Sequence, residues 1–455
     1  MPARLIESLA TTELLADVFS DSSVLQAMLD FESALARAGA REGIVPKNAA
    51  KSIAQAAKAE DFDVAELCRG TLRAGTPGIP LVKMLTQRVK SKDAAAAGFV
   101  HWGATSQDVA DTALVILLRK SQPLIESDVR RLEQALRRAA AKHENTVMLG
   151  RTLLQPSPPV TFGLKAAGWL AAIARSRASL NAAFEEALLL QFGGASGTLA
   201  SLGDKGIAVA RALAQELDLK LPEAPWHTQR DRLANLVCAC GVLTGSLGKI
   251  ARDIALLMQG EVREASEPGG DGRGGSSTMP HKRNPIGCAV TLAAAQRVPG
   301  LVAGFLSCMV QEHERGVGGW QSEWPTMAGV IQSTGLAAAS MAEVAEGLSV
   351  DTARMRENIE ATRGAIFAEK AAMLLAAKLG RSAAHKILED AGREGLSQNR
   401  NLADVLAERR EAAAQLDRAA LKRLEVPEEY LGSAEKFRAA LLSSRKGNHS
   451  ARKKD

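Results

Sequence analysis

Residues 236–257 read LVCACGVLTGSLGKIARDIALL, and their spacing decides the fold class. Leu236, Cys240, Leu243, Leu247, Ile250, Ile254 and Leu257 recur in alternating steps of four and three, which keeps one apolar stripe on one face of a long helix. The same alternation runs through Ile125, Val129, Leu132, Leu136 and Ala139, and through Leu170, Ile173, Arg177, Leu180, Phe184 and Ala187. It returns in Val330, Thr334, Ala337, Met341, Val344 and Leu348. Stripes of this length must be buried against one another. Strand signals are weak, with few β-branched alternating runs and almost no Asn-Gly or Asp-Gly turns. The expected class is all-α, built on a central bundle of antiparallel long helices.

A chain of 455 residues has room for about three domains. Before residue 107 the helical patterns are shorter and are broken at 43–46 and at 75–80, so 1–107 is expected to form a helical cap. The long-helix bundle is expected over 108–350. From 351 to 455, Gly364, Gly380, Gly392 and Gly395 punctuate a second helical domain that ends in a basic tail.

Net charge is +6, but the last eleven residues hold Arg445, Lys446, Arg452, Lys453 and Lys454 against Asp455 alone. The body is therefore close to neutral. With aromatics at 4% and no basic-aromatic pattern, no nucleic-acid partner is expected. Five cysteines without a CxxC pair, and seven scattered histidines, suggest neither a disulfide framework nor a metal site. No cationic and apolar leader opens the chain, and no uninterrupted run of about 18 apolar residues occurs. The expectation is a cytoplasmic protein without a membrane partner.

The chemistry concentrates in Gly274-Gly-Ser-Ser-Thr-Met-Pro-His-Lys-Arg-Asn-Pro285. Hydroxyls, an imidazole, an ammonium and an amide share one glycine-rich segment redirected by two prolines, a donor set suited to an anion. A phosphate loop would need Gly before its Lys, whereas Lys282 follows His281. A hydrolase elbow would need Gly-x-Ser-x-Gly around Ser276 or Ser277, and none is present. A plain linker would have no use for Met279, Lys282 and Asn284.

This segment, with His101-Trp-Gly-Ala-Thr-Ser-Gln-Asp108 and Arg151-Thr-Leu-Leu-Gln155, resembles the fumarase/aspartase superfamily and its GSSxMPxKxNP signature. The resemblance implies three helical domains, a homotetramer around a 20-helix core, active sites shared between subunits, and no cofactor. It also implies catalytic roles for Ser276, Lys282, Asn284 and His101. Thr105, Ser106, Gln155, Gln229, His281 and Arg315 are implied as substrate-binding residues. Ser276 would carry a proton to or from carbon, its alkoxide stabilised by Lys282 and by loop N–H groups. Lys282 and Asn284 would hold the carboxylate on which charge builds.

Within the superfamily, Leu190 to Gly197, Pro225 to Arg232, and Gln311 to Arg315 with Trp320 and Trp324 look most like the bacterial 3-carboxy-cis,cis-muconate cycloisomerases. Those enzymes close a tricarboxylate to a lactone in protocatechuate breakdown. Met279 to Ile286 is equally similar to adenylosuccinate lyase, the competing branch. The lyases usually carry a His–Glu pair where this chain has Leu153 and Ala289. A carboxylate leaving group, whose conjugate acid has a pKa of about 4, needs no strong acid to assist it, so the loss suits a cycloisomerase. A catalytically silent scaffold is the third expectation weighed, and the intact Ser276, Lys282 and Asn284 set speaks against it.

Overall fold

A computed structural model describes residues 5–270, 274–275, 279 and 282–443, and the described chain is mainly helical, as an all-α protein should be. Five long helices dominate: Ser106–Lys142, Phe162–Ala187, Asp231–Leu257, Ile286–Ser307 and Gly319–Glu346. All seven residues of the stripe between Leu236 and Leu257 are buried, none more than 4% exposed. Arg177 is the one charge read on an apolar stripe, and it is satisfied: its guanidinium donates to Glu126 at 2.7 Å, and Asn181 donates to the other oxygen of Glu126. Leu348 lies beyond its helix, which ends at Glu346.

Heptad spacing did not single out Ile286–Ser307, because that helix is apolar on every side and has Arg297 as its lone charge. By length and composition, it and Asp231–Leu257 are each able to cross a membrane, a test that core helices also pass. The most apolar window of Asp231–Leu257 is 56% buried within the chain; that of Ile286–Ser307 is 28% buried.

Two small antiparallel sheets depart from the helical expectation. Val147–Thr152 pairs with Gln155–Thr161, and Ala265–Ser266 with Ser349–Val350. The first hairpin turns on Leu153 and Leu154, whose φ angles are +49° and +67°. Positive φ at both central residues is the turn normally signalled by Asn-Gly, so two leucines hid it.

The chain divides into two compact units. The first comprises 1–130, 175–248 and 290–341. In it the helix Asp21–Arg41 buries Leu25, Met28, Leu29 and Phe31 and packs on Gly206–Leu217 and Lys47–Ala56. The second comprises 131–174, 249–289 and 342–455, and its C-terminal helices close over a core that includes Leu375, Val405, Leu406 and Leu421.

Leu247 is fully buried. Leu247→Ala should lower stability by about 2–5 kcal/mol, read from the midpoint of denaturant unfolding.

Candidate functional site

In the first unit the site is assembled on the opening turns of Ser106–Lys142. Asp108 and Asp111 are both fully buried there, one turn apart. The Asp108 carboxylate accepts the N–H of Thr105 at 3.0 Å, closing the helix start as a capping residue does. It also accepts the N–H groups of Gly193 at 3.0 Å and Gly194 at 2.9 Å, and lies 2.7 Å from His227 Nε2. A Cβ on Gly193 would fall 2.7 Å from Pro225, so only glycine lets that loop approach. One carboxylate thus pins three chain segments.

Asp111 does the same for the next layer. Its oxygens accept both terminal nitrogens of Arg230, at 2.8 and 3.0 Å, the Trp320 indole N–H at 3.0 Å, and the Gln107 amide. Arg230 has no exposed side-chain surface, also pairs with Glu323, and stacks its guanidinium over Trp226 at 4.8 Å. Burial pushes the Glu323 carboxyl above its usual range against the pull of Arg230. Gln311 donates to Glu323 at 2.8 Å, fixing the segment that precedes Arg315.

These anchors shape a cavity of about 630 Å³ whose walls include His101, Thr105, Ser106, Gln107, Arg315 and Trp320. The Arg315 guanidinium donates to the Thr105 hydroxyl and, at 3.4 Å, to Ser106 Oγ. Among the described residues it has no carboxylate partner. Arg315 adds a further positive charge at the N-terminal end of a 37-residue helix whose first-turn Asp108 is already engaged, an arrangement that favours a bound anion. The cavity is therefore built to receive negative charge. His101 Nδ1 lies 2.6 Å from Glu32 Oε1.

The sequence-derived candidates divide as follows. His101, Thr105, Ser106 and Arg315 come together in the cavity. Gln229 is exposed and is not among the residues lining it. Gln155, Lys282 and Asn284 belong to the second unit. There Gln155 is exposed at the start of its strand, Lys282 is exposed, and the Asn284 N–H donates to the Gly274 carbonyl at 2.9 Å. Glu267 caps the helix that follows, accepting from Gly287 and Cys288 at 2.9 and 2.7 Å. Ser276 and His281 lie outside the described residues. Leu153 is 97% exposed at its turn and Ala289 is exposed as well, so both substituted positions are open.

Glu32, Asp108, Asp111, His227, Arg230 and Glu323 carry the site's architecture without having been singled out as site residues. Glu32 left a trace: Leu25, Met28, Leu29, Glu32 and Ala36 share one buried stripe, and an acid there breaks the apolar pattern. The partners of Arg230 lie 93 and 119 residues away, and no spacing rule connects them.

Residues 9–300 match the family model described as Lyase, and residues 364–440 match Adenylosuccinate lyase C-terminus. The chain belongs to the fumarase/aspartase superfamily. Among superfamily members it is 48% identical over 424 residues to a 3-carboxy-cis,cis-muconate cycloisomerase of Bradyrhizobium diazoefficiens, covering 93% of this chain and 94% of that one. It is 49% identical to the enzyme of the same name in Pseudomonas aeruginosa, covering 92% and 91%. The crystal structure of the 3-carboxy-cis,cis-muconate lactonizing enzyme from Pseudomonas putida superposes with a TM-score of 0.90 at 45% identity, over 97% of this chain and 99% of that one.

Arg230→Met would leave Asp111 and Glu323 buried without their cation. It should cost about 3–5 kcal/mol of stability by denaturant unfolding. The deficit should shrink as pH falls and the stranded carboxylates protonate.

Proposed function

We propose that the chain is a cycloisomerase that interconverts 3-carboxy-cis,cis-muconate and 4-carboxymuconolactone in protocatechuate breakdown. The observation that carries this reading is the set of relatives of that name at 46–49% identity over more than nine-tenths of the chain. The cavity adds chemical sense, since a guanidinium with no carboxylate partner among the described residues, two hydroxyls and a helix N-terminus suit a substrate with three carboxylates.

In the forward direction one substrate carboxylate adds to the conjugated double bond. The electron pair moves onto a second carboxylate, giving an aci-carboxylate, and one proton reaches the carbon beside it. Arg315, Thr105 and Ser106 are proposed to grip a substrate carboxylate, with His101 beside them. Lys282 and Asn284 are proposed to take up the growing charge, and Ser276 to carry the proton on carbon. Gln155, Gln229 and His281 are proposed as further binding groups. No step calls for a cofactor.

We infer a homotetramer with shared active sites and the domain division 1–107, 108–350 and 351–455. The weakly buried apolar surface of Ile286–Ser307 supports the oligomer, because so apolar a helix gains by being covered. A cytoplasmic enzyme with a small-molecule partner, rather than a nucleic acid or a membrane, fits this reading.

A second reading, adenylosuccinate lyase, draws on the match over 364–440. Leu153 and Ala289 weigh against it, since they replace the His–Glu pair usual in the lyases.

Mixing the protein with 3-carboxy-cis,cis-muconate should bleach the ultraviolet absorbance of the diene. Folded protein that leaves it unchanged would remove the reading, and fumarate released from adenylosuccinate would favour the second. Arg315→Ala should lower kcat/KM by about 100-fold to 1000-fold, the loss of one preorganised donor. Ser276→Ala should abolish turnover while leaving the unfolding midpoint in place.

A further inference from the structure

His101 sits in a conformation that needs an explanation. Its φ of +60° is in the left-handed region, where a non-glycine residue is strained. That backbone places the ring on the wall of the cavity while its Nδ1 meets Glu32 Oε1 at 2.6 Å. Glu32 comes from the helix Asp21–Arg41, 69 residues earlier, and its side chain has no exposed surface. Its second oxygen, Oε2, is buried and has no hydrogen-bond partner among the described residues.

A buried carboxylate with one orphaned oxygen is costly, and packing alone would favour an apolar residue at this place on the stripe. Strain at one partner and an unsatisfied acid at the other converge on a single hydrogen bond. With Nδ1 engaged, Nε2 is the ring nitrogen left for the cavity, and among the described residues it has no partner.

We propose that Glu32 is a positioning residue that holds His101 in its protonated form, with Nε2–H presented to a substrate carboxylate. This rests on the cycloisomerase reading and adds to it the means by which a histidine serves as a cationic donor. Two other charged groups bear on the ring. Asp108, in the first turn of Ser106–Lys142, favours the cation, but its own oxygens are already taken by His227 and backbone N–H groups. Arg315, which lines the same cavity, carries like charge. Burial also pulls the His101 pKa down, and Glu32 and Asp108 outweigh it, so the net direction is up. Loss of Glu32 should therefore move the titration of His101 to lower pH, and with it the alkaline limb of kcat.

The test uses full-length enzyme and two readouts. The first is kcat and KM for 3-carboxy-cis,cis-muconate against pH. The second is the pH dependence of diethyl pyrocarbonate acylation at His101, followed by peptide mass, which reports the imidazole whatever the substrate. Glu32→Gln should lower kcat by about tenfold or more, short of the loss for removing a donor outright, with KM within about twofold. It should move both midpoints about one unit toward acid, whereas Glu32→Asp should restore them toward wild type.

A folded Glu32→Gln enzyme with wild-type midpoints, or with a change confined to KM, would overturn the proposal. Should that variant fail to fold, the wild-type protein decides: an acylation midpoint at or below the ordinary histidine value of about 6.5 overturns it. A wild type inert toward the substrate but with a raised, Glu32-dependent midpoint would sink the cycloisomerase reading and keep the pair.

Discussion

Two aspartates buried one turn apart at the head of Ser106–Lys142 hold the first unit in register. A carboxylate in a dry interior is tolerable only when its lone pairs are filled, and filling them recruits distant chain. Asp108 is filled by backbone from residues 105 and 193–194 and by His227. Asp111 is filled by Arg230, Trp320 and Gln107. The demand for satisfaction sets where the loops go, and the loops set the cavity.

That arrangement leaves one cation in surplus where chemistry is needed. Arg230 is fully neutralised by Asp111 and Glu323, while Arg315, among the described residues, meets the hydroxyls of Thr105 and Ser106 and no carboxylate. The difference separates a structural guanidinium from one available to a ligand. It suits a reaction in which charge moves between substrate carboxylates and fixed positive groups stabilise its destination.

Periodicity read the helices well because burial of an apolar stripe is a local demand written into consecutive residues. It failed at Ile286–Ser307, where no face is polar enough to define a period, and at the Leu153-Leu154 turn, where neighbouring residues impose a conformation that leucine does not prefer. At the site, His101, Thr105, Ser106 and Arg315 were legible from their motifs. The acids that organise them were not, apart from the interruption that Glu32 makes in a buried stripe.

By itself the sequence determined the all-α class, the positions of four long helices, the near-neutral body with its basic tail, and the superfamily, which follow from spacing, composition and short contiguous motifs. Only the tertiary structure decided which arginine is spent on buried acids and which is left to face the cavity, and that His101 leans on Glu32. Those choices depend on contacts between residues 69 to 210 positions apart, and electrostatic pairing over such separations depends on folded distance, which no linear pattern encodes.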